Sequence, residues 1–447
     1  MHYKTNKLAI AVALASAGLM ASQAFAAGFQ VREQSAKTLA NALSNAAAGA
    51  EDVSFMAYNP AAIGNIDGNQ FSVGAAYIDA DFELQDAEAS PASAPSLSYD
   101  NGGSRQGGES AVVPSFAVKT QASERIDLGL AIFSPYGLAT KYDEDWIGRY
   151  HAIETELTTI DIQPTVNFRV TDRWSVAAGL IAEHGDATIS NAIDLGGLGA
   201  QASLLPATAA GQFDGKAKVT GDDWGYGYTL GTLFQVTDKT RLGLSYRSEI
   251  DLVLDGEVEY SSDNSTGQTV LANSGLEDGG GTADISTPAN ANIGVFHQLT
   301  PRLALMANAS WTDWSSFEEL KVEFDSGGDS TTTENWNDSW AYSVGANYAL
   351  TDKWLLRTGL GYDETPVPSA EFRTPRVPDA DRTWATLGAT YQATENLGVT
   401  AGYMRVFGDG GKIDQDGAKE ENARKGNLSG EYDVSANVFA LSMDYRF

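Results

Sequence analysis

The chain has 447 residues, no cysteine, and 29 Lys plus Arg against 59 Asp plus Glu, a formal charge of −30 at pH 7. The missing thiols exclude a disulfide framework and any Cys-ligated metal or iron–sulfur centre, and the excess of acid excludes nucleic-acid binding through a basic surface. Charged residues at 20% and aromatics at 10% describe an ordered chain, and a polar average fits a transmembrane β-barrel, in which alternate strand residues face the lumen.

Lys4 and Lys7 precede an apolar, Ala-rich run from Leu8 to Met20, and Ala24-Phe25-Ala26 supplies small residues for cleavage. Residues 1–26 therefore read as a signal peptide cut after Ala26, too short to span a bilayer core of roughly 30 Å. No later stretch approaches 18 apolar residues, which excludes membrane-spanning helices. Residues 27–69 do not alternate. Ser35 to Ala50 is rich in Ala, Leu and Asn and suits a short helix or two, and Asn59-Pro60-Ala61 marks a turn. Phe29, Val31, Leu39, Leu43, Phe55 and Ile63 are too apolar for a solvated tail. This segment reads as a partly helical plug for a lumen wider than side chains can fill.

Residues 70–447 carry a recurring short turn: Ala122-Ser123-Glu124-Arg125, Thr171-Asp172-Arg173, Thr237-Asp238-Lys239, Thr300-Pro301-Arg302, Thr351-Asp352-Lys353 and Thr394-Glu395-Asn396. Two strand-like runs and one longer polar loop lie between successive turns, the asymmetry of an outer-membrane barrel. In the run from Trp354 to Tyr362, Trp354, Leu356, Leu360 and Tyr362 share one face; Arg357, Gly359 and Gly361 share the other. A period of two sends the first set to lipid and the second to the lumen. The last strand alternates Phe439, Leu441, Met443, Tyr445 and Phe447 with Ser442, Asp444 and Arg446. Its aromatic end, Phe447, reads as the assembly signal of bacterial outer-membrane barrels. Six turns and two termini on one side imply about fourteen antiparallel strands, an even number. They must close, because an unpaired backbone group in hydrocarbon costs several kcal/mol.

Two outward loops are unusually apolar. One holds Trp146, Ile147, Tyr150 and Ile153; the other holds Leu195, Leu198, Leu204 and Leu205. They suit either a surface groove that captures a greasy molecule or the mutual packing of two loop helices. Ser134-Pro135-Tyr136-Gly137 ends the third strand, which should bend or break there because Pro removes a ladder donor. Only His151, His184 and His297 follow the signal peptide, no Gly-x-Ser-x-Gly element occurs, and no His pair has metal-ligand spacing. Catalysis, a cofactor and a metal site are not expected. A general porin would need neither plug nor apolar loops.

Several stretches together resemble the FadL family of outer-membrane long-chain fatty acid channels. These are Ala27-Gly28-Phe29-Gln30, Asn59-Pro60-Ala61, Ser134-Pro135-Tyr136-Gly137-Leu138-Ala139-Thr140, Gly221-Asp222-Asp223-Trp224-Gly225, Tyr246-Arg247-Ser248-Glu249, Trp311-Thr312-Asp313-Trp314-Ser315, and Asp363-Glu364-Thr365-Pro366-Val367-Pro368 with Pro378-Asp379-Ala380-Asp381-Arg382. The resemblance spans nearly the whole chain after residue 26. It implies a fourteen-stranded barrel with an N-terminal hatch, and a ligand that leaves sideways through a wall gap beside a kinked strand. Ser134 and Gly137 match the kink, Asn59-Pro60-Ala61 the hatch element near it, and Phe29 the position where the hatch reaches the ligand pocket. Where family members carry two cations for a carboxylate, this chain has Asn191 and Thr332; Arg149, His151, Lys216, Lys218, Arg357, Arg373 and Arg382 are the candidate substitutes. The expected cargo is a long-chain fatty acid, with an uncharged alkane or alkylbenzene as the alternative. The expected setting is a monomer in outer-membrane lipid and lipopolysaccharide, inserted by the barrel assembly machinery.

Overall fold

The computed structural model describes residues 28–92, 97–99 and 102–447; the signal peptide assigned to 1–26 lies outside the described residues. Fourteen antiparallel strands follow in chain order: β1 (Gln70–Ser90), β2 (Ser110–Gln121), β3 (Ile126–Phe133, resuming as Gly137–Lys141), β4 (Glu154–Thr171), β5 (Trp174–Ile193), β6 (Gly215–Thr237), β7 (Thr240–Arg247, resuming as Ile250–Ser261), β8 (Gly279–Thr287, resuming as Asn290–Thr300), β9 (Leu303–Thr312, resuming as Glu319–Phe324), β10 (Asp329–Thr333, resuming as Ser339–Ala349), β11 (Trp354–Asp363), β12 (Arg382–Gln392), β13 (Leu397–Gly408, resuming as Gly411–Gln415) and β14 (Asn427–Arg446). Each pairs with the next. β14 closes the wall on β1, from Gln70↔Arg446 to Ser90↔Asn427, with one bulge between Gln85 and Glu88. All six short turns read from the sequence join strands on one side: β2–β3, β4–β5, β6–β7, β8–β9, β10–β11 and β12–β13.

A spanning strand needs roughly 9–11 residues. β1 has 21 and β6 has 23, so their loop-side halves stand clear of the bilayer. The outward face carries the aromatic belts of a membrane barrel. Trp174, Phe234, Trp354 and Phe447 are exposed near the turns, and Tyr77, Trp340, Tyr342 and Phe439 are exposed farther up. On β11, Leu360 is 61% exposed whereas Arg357 is buried, as alternation requires. The loop helices α2 (Leu195–Gln201) and α3 (Ser265–Ser274) pack on each other above the wall.

Residues 28–66 sit inside the barrel. Only Ala36–Leu39 is α-helical (α1), followed by 3₁₀ turns at Val53–Ala57 and Pro60–Asn65. The helix expected over Ser35 to Ala50 stops early: Ala42 and Leu43 take left-handed φ values of 54° and 66°. Here the plug backbone bends along the wall instead of continuing straight. The wall makes room with inward glycines: a Cβ on Gly359 would lie 2.6 Å from Asn41 O, and one on Gly388 would lie 2.5 Å from Ala40 Cβ. Gly231, Gly243, Gly345 and Gly402 likewise face plug atoms. The absence of a side chain is what lets the two backbones approach. Polar ties complete the seat. Lys37 Nζ lies 2.7 Å from Asp52 and 2.8 Å from Asp444 of β14, and Arg357 of β11 pairs with Glu51. Asn59 accepts from Ala61 N and donates to Ala47 O (2.7 Å) and Thr232 O (3.2 Å).

Candidate functional site

Five strands break at one level. β3 stops at Ser134–Tyr136, β7 at Ser248–Glu249, β8 at Pro288–Ala289, β9 at 313–318 and β10 at 334–338. Pro135 and Pro288 lack the ladder donor. At the break an irregular backbone can turn large rings inward, and Tyr136, Trp314, Phe317 and Trp336 surround Phe29. The Phe29 ring meets Trp314 edge-on at 4.7 Å and Phe317 at 5.5 Å, the geometry favoured by ring quadrupoles. Phe29 is 2% exposed.

This aromatic knot separates two chambers. On the loop side, Phe29, Leu138, Leu157, Ile189, Leu254 and Ile285 are among residues lining a largely apolar cavity. On the turn side, a second cavity is lined by polar groups such as Gln30, Arg32, Gln163, Asn292, Asn308 and Ser343.

The apolar cavity has a polar cap. The loop between β11 and β12 folds into the barrel mouth and places Arg376 on its lining. Thr140 Oγ1 donates to Arg376 O at 3.2 Å and Tyr142 Oη to Pro375 O at 3.0 Å. The Arg376 guanidinium donates to Thr155 Oγ1 (3.1 Å) and Asn191 Oδ1 (3.3 Å), both neutral. Among the described residues no carboxylate lies within ion-pair distance of it, although the residue is 7% exposed. Burial pulls its pKa down to about 10, with Glu334 opposing, so it remains a cation at neutral pH. Half-buried Lys425 donates to Thr332 Oγ1 at 3.3 Å; burial and the neighbouring Arg376 draw it down to about 8. His151 is buried with an unpartnered Nε2, and burial reinforced by Lys425 holds it neutral, at about 3.

The wall itself is incomplete beside the kink. β2 and β3 pair only from Phe116↔Ile132 to Gln121↔Asp127. Above this, Ser110–Ser115 pairs with β1 alone, while Gly137–Lys141 pairs with β4. One bridge, Gly108↔Thr140, rejoins the two edges higher up. The plug satisfies the kink backbone from inside: Val31 N donates to Pro135 O (2.7 Å), Gly137 N to Phe29 O (2.9 Å), and Gln34 Nε2 to Ser134 O (2.6 Å). Plug and gap therefore share hydrogen bonds that neither could lose without leaving buried polar groups unpaired.

Phe29, Ser134, Pro135 and Gly137 are thus brought together at the knot. Asn59, Pro60 and Ala61 lie elsewhere, against β5 and β6, where Asn59 and Pro60 meet Gly231 and Ser175 Oγ donates to Ala61 O, so the hatch turn does not border the gap. Trp146, Ile147, Tyr150 and Ile153 are at most 5% exposed and line neither cavity. Trp146 stacks on Tyr142 at 4.1 Å, and Tyr150 packs on Tyr99 and donates to Asp214. Leu195 is fully buried, while Leu198 and Leu205 are half-buried and Leu204 is 52% exposed. Phe447 sits at the seam, its N–H donating to Asn69 O at 3.0 Å.

Of the candidate substitute cations, Arg149 binds Asp214, Lys216 binds Glu144, Arg357 binds Glu51, Arg382 binds Asp379 and Arg373 binds backbone carbonyls. Lys218 is half-buried on β6 and lines neither cavity; His151 also lines neither, but is buried near enough to Lys425 and Arg376 for both to disfavour its charge. Sequence reasoning missed Arg376 and Lys425. For Arg376 the available signal was its setting in Thr374-Pro375-Arg376-Val377-Pro378, a Pro-bracketed segment too stiff for a free loop.

Residues 17–447 match the family model described as Outer membrane protein transport protein (OMPP1/FadL/TodX). The long-chain fatty acid transport protein of Escherichia coli K12 is 32% identical over 464 residues, covering 99% of this chain and 98% of that one. A 47 kDa outer membrane protein of Pasteurella multocida is 31% identical over 459 residues, covering 99% and 100%. The crystal structure of a Pseudomonas aeruginosa FadL homologue superposes with a TM-score of 0.83 at 28% identity, covering 94% of this chain and all of that one. The Pseudomonas putida toluene transporter TodX has the same fold, with a TM-score of 0.65 at 19% identity and coverage of 91% and 98%. The chain belongs to the FadL/TodX family of outer-membrane transport proteins.

Proposed function

We propose that this protein carries long-chain fatty acids passively across the outer membrane. The observation that carries this reading is the apolar cavity bordered by a buried guanidinium that has no carboxylate at ion-pair distance among the described residues. Buried charges are normally paired, so an anionic head group at Arg376 and Lys425 with its tail on Leu138, Leu157 and Ile189 completes the site. These two cations stand beside Asn191 and Thr332 and take the place of the family cations absent from those positions.

Each methylene withdrawn from water contributes roughly 0.8 kcal/mol, so a dozen contribute on the order of 10 kcal/mol. Entry needs no energy source. Exposed Leu204 with Leu198 and Leu205 forms an apolar lip for first contact, and the Trp146 to Ile153 loop keeps the crown rigid. Beneath Phe29 the polar chamber disfavours an axial path for a tail. The unpaired stretch between β2 and β3 offers a sideways path into the bilayer, opened when Phe29 to Val31 let go of the kink.

Competition on purified protein in nanodiscs tests the cargo, with oleate, hexadecane and an alkylbenzene displacing a fluorescent alkyl probe. Oleate should displace at concentrations at least tenfold lower. Equal displacement by all three would remove the head-group assignment and favour an uncharged hydrocarbon.

A further inference from the structure

Glu334 connects the two halves of β10 and lines the apolar cavity together with Arg376. It is 2% exposed. Its Oε2 accepts from Trp336 Nε1 at 2.9 Å, and its Oε1 has no hydrogen-bond partner among the described residues. No ion pair joins it to Arg376 or Lys425, although both act on it electrostatically. Two other carboxylates stand near it: Glu156 of β4 lines the same cavity, and Glu421 acts on it electrostatically. Glu421 accepts from Thr333 N at 2.7 Å, and His151 is held neutral by burial, reinforced by Lys425. Arg376 and a Glu334 carboxyl with one oxygen outside any hydrogen bond thus line one cavity, and Lys425 is near enough to act on both.

Resting on the head-group reading above, the geometry points to Glu334 as the proton-carrying member of this site: its acid form donates from Oε1 to an incoming anionic head group and its carboxylate repels one. Two carboxylates in one confined site cannot both ionise, but they share one proton readily. Anionic amphiphiles thus bind only the protonated form, whereas a neutral hydrocarbon is indifferent to it. Burial, opposed by the indole hydrogen bond and the cations, pushes Glu334 up to about 8, so the proton is already present at neutral pH.

The sign follows from linkage. An anion beside Glu334 stabilises its acid form, so affinity is constant below pH 8 and falls above it, by roughly tenfold per pH unit. Lys425 contributes a slope of the same sign, because it must also be protonated. Decyl sulfonate is the probe, since its own charge does not change between pH 6 and 9, with decane as the neutral control.

The expected result is a K425M protein that still loses decyl sulfonate affinity with rising pH, from a higher onset because Lys425 no longer draws Glu334 down, and an E334Q/K425M protein whose affinity is flat. Decane binding should be flat in both. A flat profile for K425M, or equal slopes for E334Q and the unmodified protein, overturns the role of Glu334. Failure of the head-group reading looks different: decyl sulfonate and decane then bind alike at every pH, and R376M alters neither.

Discussion

Replacing Arg376 by methionine tests the head-group site most directly. Methionine keeps an apolar stem of similar length, so the packing of the arginine methylenes is largely retained. What is lost is the guanidinium, which now donates only to Thr155 Oγ1 and Asn191 Oδ1. A hydrogen bond to a charged group contributes about 1.5–3 kcal/mol, and about 1.4 kcal/mol is tenfold in affinity. Oleate should therefore bind about 10–100-fold more weakly to R376M. Hexadecane should bind as before or slightly more tightly, because a buried cation outside any ion pair among the described residues no longer has to be tolerated. R376K keeps the charge but not the fork and should fall between the two. Probe displacement in nanodiscs at pH 7 reads all three. A loss below threefold for oleate, or equal losses for oleate and hexadecane, would refute the reasoning, since a purely structural arginine would affect both ligands alike.

Phe29→Ala removes the ring that divides the chambers; Phe→Ala in a packed site costs about 3–5 kcal/mol. Binding of oleate and hexadecane should weaken together, and hydrogen exchange at Val31 and Gly137 should accelerate; unchanged exchange would separate the ring from the kink. Gly359→Leu drives a side chain into Asn41 O and Ala42, so the plug should unseat while the barrel folds, raising conductance in planar bilayers. Conductance like that of the unmodified protein would mean that the glycine belt is not the seat. His151 is held neutral at about 3, below its ordinary value near 6.5. Its contribution to stability is complete above pH 6.5 and declines as pH falls towards 3, by on the order of a few kcal/mol. H151Q should therefore lose less thermal stability than the unmodified protein between pH 7 and pH 4, measured by heat-dependent gel mobility.

Much of the architecture was legible along the chain because its causes are local. Turn chemistry at Thr171-Asp172-Arg173 and its five counterparts depends on neighbours in sequence. The lipid-facing alternation of Trp354, Leu356 and Leu360 depends on a strand's period of two. Closure follows from the cost of an open edge in hydrocarbon. Pro135 announced a broken strand by lacking a donor. The site was less legible. The apolar loop from Trp146 to Ile153 could equally have packed on itself or on a ligand, and composition does not distinguish these; the fold buries it against Tyr142 and Tyr99. The inward glycines had meaning only once Asn41, Ala42 and Ala47 lay against them. Arg376 and Lys425 come from loops 49 residues apart and reach Asn191 and Thr332 across the barrel mouth. Such a cap is a sum of burial and Coulomb interactions between distant segments, and these exist only when closure of the wall brings the segments together.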